Sequence, residues 1–501
     1  MAGSNMFSMI LATMTDPICL LLTLIGTIMG VVFGSLPGLT ATMGVALLVP
    51  LTFSFPPLYA LSMMLAVYVG SMSGGAISSI LINIPGTPSA VVTTLDGYPM
   101  AMKGKAAEAI GWSNMSSFFG GFISWAILVF VAPPVARIAL KFGPAEYAAL
   151  ALFGLTIIAS VSGKSLVKGV ISGLIGLWLS VIGVDPIVGN FRFTFDSMNL
   201  MTGISTIAAL VGFYALPQIL ESITEPEREA SIKVKDNKWL YIPNFVELWK
   251  HKFNLIYSSI IGTIVGIIPA TGGNIASFLA YDHIKRFSKN PEKFGKGCAE
   301  GVIASEAANN GVTGGALIPL LTLGIPGDSV TAVLLGGLMI HGLQPGPQLF
   351  SKHPDLIVGI FTTILLANIL TAVVMFTGNK AFIKILKVPT YFLAPMLIIL
   401  SVVGSYALRG SFFDVGVTIF LGLFGYLMSL GGFPMAPTVL GLVLGPLLEG
   451  EIRRALILSD GSWSIFFVRP ISLVLIAFSL LICLLEVKKA FKKRDTEAIT
   501  I

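Results

Sequence analysis

Charge is what this sequence most lacks: only 11% of its 501 residues are Asp, Glu, Lys or Arg. An ordinary soluble domain carries roughly 25%, so a soluble enzyme of this length is excluded. Cysteine is scarce as well. Cys19, Cys298 and Cys483 have neither zinc nor redox spacing and give no disulfide framework. The four histidines, His251, His283, His341 and His353, are scattered and suggest no metal site. No Lys or Arg precedes Lys103. A cleavable signal normally opens with positive charge, so none is expected, and the run from about Ile18 reads as the first membrane segment. Motifs are missing too. Gly163-Lys164-Ser165 resembles the end of a phosphate loop, but Ile158 stands where the upstream glycine is required. Gly70-Ser71-Met72-Ser73-Gly74 has Met72 where a nucleophile elbow needs serine. There is no HExxH. An ATP-driven motor and a hydrolase are therefore poorly supported, and neither a catalytic residue nor an organic cofactor is expected.

What fills the chain is hydrocarbon: 55% of the residues are hydrophobic. Lipid accepts apolar side chains on the outside of a protein as well as within it. A spanning helix needs about 20 mostly apolar residues, and roughly a dozen such runs occur. The expectation is an all-α integral membrane protein with about 10–14 membrane segments. A first half covers 18–220, a charge-balanced polar connector 221–252, a second half 253–486, and a basic tail 487–501. The connector holds six acidic and six basic residues. The net charge of +6 lies in short loops, as the positive-inside rule expects, so nucleic acid is not the implied partner. Lys488, Lys489, Lys492, Lys493 and Arg494 follow the last apolar run and assign the C-terminus to the cytoplasm.

The two halves share an ordered set of motifs. The first has Gly34-Ser-Leu-Pro37, Gly74-Gly75-Ala76 and Ile84-Pro85-Gly86; the second has Gly266-Ile-Ile-Pro269, Gly314-Gly315-Ala316 and Ile325-Pro326-Gly327. The core motifs span 34–99 and 266–347. Equivalent loops differ in charge. LTFSFPPL (51–58) has none, whereas its counterpart at 282–297 carries Lys285, Arg286, Lys289, Lys293 and Lys296. Later in the repeat the bias reverses weakly, with Lys103 and Lys105 against Lys352. The charge pattern fits two repeats of inverted topology; growth of one basic loop alone would also account for it.

Pro removes a helix hydrogen bond and Gly tolerates left-handed backbone, so these motifs interrupt the membrane helices. Broken or re-entrant helices at matching places of two repeats point to a transporter binding site. A free helix N-terminus offers N–H groups and a positive dipole end to an anion. The candidate substrate site is Pro37, Gly38, Thr40, Asn83, Pro85, Gly86, Thr87 and Ser89 from the first repeat. The second contributes Thr271, Gly272, Gly273, Asn274, Asn309, Asn310, Thr313, Pro326, Gly327 and Ser329. Any one hydroxyl there is equally explained by helix packing. Glu306 and Asp328, carboxylates in apolar surroundings, are candidates for ion coupling, with Ser35 and Thr42 beside them. Glu306 bordering the basic loop and facing water is the alternative.

The segments GSLPGLTATMGVALLVPLTF, GGAISSILINIPGTPSAVVTTLDGYPMA, GIIPATGGNIAS and SEAANNGVTGGALIPLLTLGIPGDSVTAVLLGGLMIHGLQPGP resemble the large membrane subunit of tripartite tricarboxylate transporters, TctA-like, in order from about residue 18 to 486. The resemblance implies a multi-pass protein of the bacterial inner membrane. It implies uptake of an organic carboxylate, such as citrate or a related di- or monocarboxylate, driven by a Na⁺ or H⁺ gradient. It also implies two partners, a periplasmic solute-binding protein and a small membrane subunit of about four helices, and by fold analogy an elevator-type architecture. It carries the pocket onto 37–42, 83–89, 271–274, 309–315 and 325–329. A passive organic-anion channel and a membrane-embedded enzyme are the rival readings.

Overall fold

The computed structural model describes residues 3–161, 165–185, 187–224, 240–269, 271–385 and 390–499. Among them, strand pairing is limited to a two-residue hairpin, Gly183–Val184 against Phe191–Arg192; helices make up the framework. Among the described residues seven helices are long and apolar enough to cross a bilayer, and seven shorter apolar ones accompany them. The chain is an all-α, multi-pass membrane protein.

Two compact units are present. One takes Met1–Ala136 and Gln218–Gly404, the other Arg137–Pro217 and Ser405–Ile501. Each unit therefore draws on both sequence halves. Of the expected connector 221–252, residues 225–239 lie outside the described part, and its end forms the Phe245–Lys250 helix, held by a reciprocal cap between Asn244 and Glu247. The helix Pro470–Ile499 runs into the expected tail, whose basic side chains lie outside the described residues, as do Gly163 and Lys164.

The first unit holds all of the paired Gly/Pro motifs. The helices that carry or flank them are α1 (Pro17–Ser35), α2 (Ala41–Leu51), α3 (Pro57–Ile82), α4 (Val91–Met102), α5 (Ala106–Ala139), α6 (Lys252–Ile267), α7 (Gly272–Phe287), α8 (Ala299–Leu323), α9 (Ser329–Ile340) and α10 (Pro354–Ile385). Glycine at every fourth position dictates its closest packing. Gly26, Gly30 and Gly34 of α1 lie on the backbone of Met63, Val67 and Ser71 in α3, and Gly70 and Gly74 of α3 lie on Thr27 and Val31. The same arrangement joins α6 to α8: Gly262 and Gly266 face Ala308 and Val312, while Gly311 and Gly315 face Ser259 and Thr263. Without a hydrophobic drive between helices in lipid, such small-residue faces let dispersion and backbone proximity hold them together. Burial explains composition. In its most apolar window α3 is 94% buried and α5 only 28%. The serines of α3 thus sit among protein groups: Ser79 donates to Gly75 O at 2.9 Å and Ala90 O at 3.0 Å. Lipid instead accounts for the 78% exposure of Phe130 on α5.

In the second unit, Met435–Leu458 packs on Leu166–Ser180 and Pro144–Val161, with Gly176 against Thr438 and Gly441 against Gly173. A charged cluster joins its hairpin to that helix. Arg453 contacts Asp185 and Glu449, each at 2.7 Å, and Arg192 contacts Glu449 at 2.5 Å.

Candidate functional site

Four helix interruptions build the site. After α1, Leu36 turns extended and Gly38 takes φ +87°. Thr40 then caps α2, accepting from Met43 N at 3.2 Å while its hydroxyl donates to Gln218 Oε1 at 2.7 Å. After α3, Asn83 adopts a left-handed conformation (φ 58°) and Ile84-Pro85-Gly86 leads through the short 3₁₀ turn Pro88–Ala90 into α4. After α6, Ile268 is extended, Thr271 donates to Ile268 O at 2.7 Å, and Gly272 (φ +62°) opens α7. After α8, Gly324 is left-handed (φ +73°) and Ile325-Pro326-Gly327 leads to Asp328, the N-cap of α9. The two Ile-Pro-Gly turns are seated alike: a side chain at Gly86 would strike the carbonyl of Gly34, and one at Gly327 the carbonyl of Gly266.

The interrupted helices then cross between the halves. Thr42 Oγ1 of α2 meets Ser329 Oγ of α9 at 3.1 Å. At the start of α7, Gly273 lies against Ser89 and Asn309, and a Cβ there would fall 2.6 Å from Asn309 Oδ1 and 2.9 Å from Ser89 Cβ. α3 links the two crossings. Its Tyr68 donates to Asp328 Oδ2 at 2.6 Å. One turn on, Met72 O accepts from Asn309 Nδ2 at 2.9 Å and Met72 Sδ accepts from Ser89 Oγ at 3.7 Å. Ser73 donates to Asn310 Oδ1 at 2.9 Å.

The candidates separate by what their polar atoms do. Thr42, Thr87, Ser89, Gly273, Asn309 and Ser329 converge on the crossings, with Thr87 Oγ1 3.0 Å from Ser89 Oγ. Gly38, Asn83 and Asn274 are exposed, and Pro37, Thr40, Pro85, Thr271 and Gly272 are half-buried. Gly86, Pro326 and Gly327 are buried turn backbone. Ser35 and Thr313 spend their hydroxyls on their own helices, on Val32 O at 3.0 Å and Asn310 O at 2.7 Å. Asp328 is saturated: Oδ1 accepts from Thr331 N at 2.8 Å and Thr331 Oγ1 at 2.7 Å, and Oδ2 accepts from Tyr68.

Glu306 does not face water; it is wholly buried on α8. Its Oε1 accepts from Thr93 of α4, its Oε2 from Ser117 of α5 at 3.1 Å, and the Asn309 amide stands beside it. Among the described residues no Lys, Arg or His pairs with it. Asn309 carries a second feature, an Oδ1 that is buried without a partner. Reading by Gly/Pro interruptions passed over Tyr68, Thr93, Ser117 and Gln218. Three of them sit inside helices away from the interruptions and the fourth, Gln218, beyond the repeat motifs, so nothing local singles them out.

The residues that build these interruptions lie in a stretch of sequence that matches a known family. The family model of the tripartite tricarboxylate transporter TctA family covers residues 20–440. The chain belongs to the TctA family. It is thus a component of a tricarboxylate transporter. An uncharacterized 52.8 kDa protein in the TAR-I ttuC' 3' region of Agrobacterium vitis is 36% identical over 485 residues, 96% of each chain. Another from the TAR-II ttuC' 3' region of the same organism is 37% identical over 235 residues, 47% of this chain and 97% of its own. Family membership implies partner subunits of the TctA protein, and the four interruptions all fall inside the matched span.

Proposed function

We propose that this TctA protein imports an organic carboxylate across the bacterial inner membrane, driven by a Na⁺ or H⁺ gradient and not by ATP. The carboxylate arrives from a periplasmic binding protein, and a small membrane subunit completes the complex. The observation that carries the reading is the pair of crossings, Thr42 with Ser329 and Gly273 with Ser89, where helix N-termini from both halves meet. Free N–H groups and the dipole ends there suit a carboxylate. Thr40, Thr87, Ser89 and Asn274 orient it. Asn83, Pro85, Gly86, Pro326 and Gly327 shape the turns. Of the two carboxylates, Glu306 suits ion coupling better than Asp328, whose oxygens are already engaged in capping α9.

An inverted repeat is part of the proposal. It is supported by the matching glycine faces and by the seating of Gly86 on Gly34 and of Gly327 on Gly266. Two basic loops that occupy non-equivalent places in the repeats also come together, with Lys103 Nζ donating to Lys296 O at 2.5 Å. By the positive-inside rule that end faces the cytoplasm. In an elevator-type cycle the first unit, which holds the interruptions, would be the moving part.

The test is uptake of labelled carboxylates, citrate first, into proteoliposomes holding this chain and its small partner. The binding protein is supplied outside, and Na⁺ and proton gradients are imposed separately. Accumulation that needs the binding protein and one gradient is the expected result. Equilibration that needs neither would replace the reading with a channel.

A further inference from the structure

We propose that Glu306 is the proton carrier of this transporter, taking up a proton between Thr93 and Ser117 and exchanging it with the end of the molecule that bears Lys103 and Lys296. The proposal rests on the transport reading above and names its coupling ion as H⁺.

Three observations support it. First, Glu306 has no counter-charge among the described residues. It is completely buried, and a permanently ionised carboxylate at such a place in a bilayer is costly unless paired. On the elements packed around its helix, the buried ionisable groups are Asp96 on α4, Tyr281 on α7, Tyr68 on α3 and Asp328 at the start of α9, all acidic. The basic residues of α5, α6 and α7 stand at helix ends.

Second, its partners suit both protonation states. Thr93 and Ser117 are hydroxyls, and a hydroxyl can donate to a carboxylate or accept from a carboxylic acid. A guanidinium or ammonium could only donate and would hold Glu306 ionised. Thr93 Oγ1 also lies 3.0 Å from Ser305 Oγ, which donates to Val302 O at 3.1 Å. A rotated Thr93 therefore has a second acceptor when the acid forms.

Third, polar groups continue from Glu306 in one direction. Ser113, four residues before Ser117 and so on the same face of α5, is fully buried with its hydroxyl unpartnered, and Asn114 beside it has neither amide atom paired. On α4, Asp96 follows Thr93 by one turn. It accepts from Tyr281 at 2.8 Å and from the backbone of Gly297 and Cys298 at 2.7 and 3.0 Å. Both lines lead toward the Lys103–Lys296 end. In the opposite direction Glu306 adjoins Asn309, whose unpartnered Oδ1 faces Gly273 and Ser89 at the crossing. One amide thus touches both the proton site and the proposed carboxylate site.

The proton balance is simple. On one side a proton from hydronium adds to a Glu306 oxygen and leaves water; the new O–H donates to Ser117 or Thr93. After the transition that O–H bond breaks and the proton returns to water on the other side.

Two measurements decide it. The first is the infrared difference spectrum of the full chain in lipid between about pH 5 and about pH 9, a range that brackets carboxyl titration in buried sites. A protonated-carboxyl C=O band that is absent from Glu306→Gln and displaced in Ser117→Ala is expected. A band unchanged in both variants, or no band in the wild type, overturns the proposal. Should Glu306→Gln fail to fold, Ser117→Ala alone decides, since it leaves the carboxyl in place and moves only its partner. The second is citrate transport, measured with and without sodium, in the reconstituted system with the binding protein. Glu306→Gln is expected to keep citrate exchange but lose at least tenfold of the accumulation driven by a pH gradient. Wild-type accumulation that demands Na⁺ and ignores the pH gradient overturns it, as does undiminished accumulation by Glu306→Gln. If the wild type fails to exchange citrate, the citrate form of the transport reading fails, and the infrared result still decides the fate of Glu306.

Discussion

Gly86 and Gly327 hold the site together at the scale of single atoms. Each lets an Ile-Pro-Gly turn lie directly on a helix carbonyl, Gly34 O in one half and Gly266 O in the other. A methyl group at either position meets backbone, which cannot rotate away as a side chain would. Gly86→Ala and Gly327→Ala are each expected to destabilise the protein by about 1–3 kcal/mol, the usual cost of overpacking, and to abolish carboxylate uptake. Gly272→Ala is the control. Its φ of +62° penalises any Cβ, but nothing lies within 4 Å of it, so it costs only roughly 1–2 kcal/mol of backbone strain. Thermal unfolding in detergent, read beside uptake, distinguishes the cases. If Gly86→Ala retains uptake at the level of Gly272→Ala, the turn is not seated as described.

Asp328 belongs to the element scale, because its carboxylate acts on a whole helix. It accepts from Thr331 N, and Thr331 Oγ1 in turn accepts from Asp328 N at 2.9 Å, a reciprocal cap at the start of α9. Tyr68 fixes the remaining oxygen. Asn is about as good an N-cap as Asp, whereas Ala costs roughly 1 kcal/mol. Asp328→Asn is therefore expected to keep the fold and the ion dependence of uptake, and Asp328→Ala to lower the melting temperature. A change of ion dependence in Asp328→Asn would return this residue to the coupling machinery. The element scale also separates what could be read in the sequence from what could not. Interruptions were legible because Gly and Pro act on backbone locally, wherever the chain later goes; Leu36, Asn83, Ile268 and Gly324 all leave helical geometry beside such motifs. Convergence was legible only in part. Ser35 and Thr313 looked like Thr42 and Ser89 in the sequence, but their hydroxyls fold back on their own helices. Thr93 and Ser117 reach Glu306 from helices 213 and 189 residues away in sequence, and no spacing rule connects such distant positions. The compact units were hidden for the same reason: each is assembled from two separated stretches of chain.

At the scale of the whole molecule the second unit carries charge in a different way from the first. Glu306 is alone among neutral donors, whereas Asp185, 5% exposed, is surrounded by compensation. The backbone N–H of Val188 at 3.1 Å, the Arg453 guanidinium at 2.7 Å and the N–H of Ile187 at 2.8 Å hold its carboxyl well below the usual range. The residue closes the turn of the hairpin and ties it through Arg453 to the Met435–Leu458 helix. A carboxyl whose folded value is depressed binds its proton more readily in the unfolded chain. Its stabilisation is therefore fully present above the unfolded value, near 4, and is lost as pH falls through the lower folded value. Asp185→Asn keeps an acceptor for the two N–H groups but leaves Arg453 with Glu449 as its acidic partner. The variant is expected to melt below the wild type at neutral pH, with the difference shrinking as the medium is acidified below about pH 4. Melting curves of both proteins in detergent across that range check the sign. A difference that stays constant with pH would mean that the asparagine acts through packing alone. A difference that widens in acid would contradict the depressed carboxyl itself.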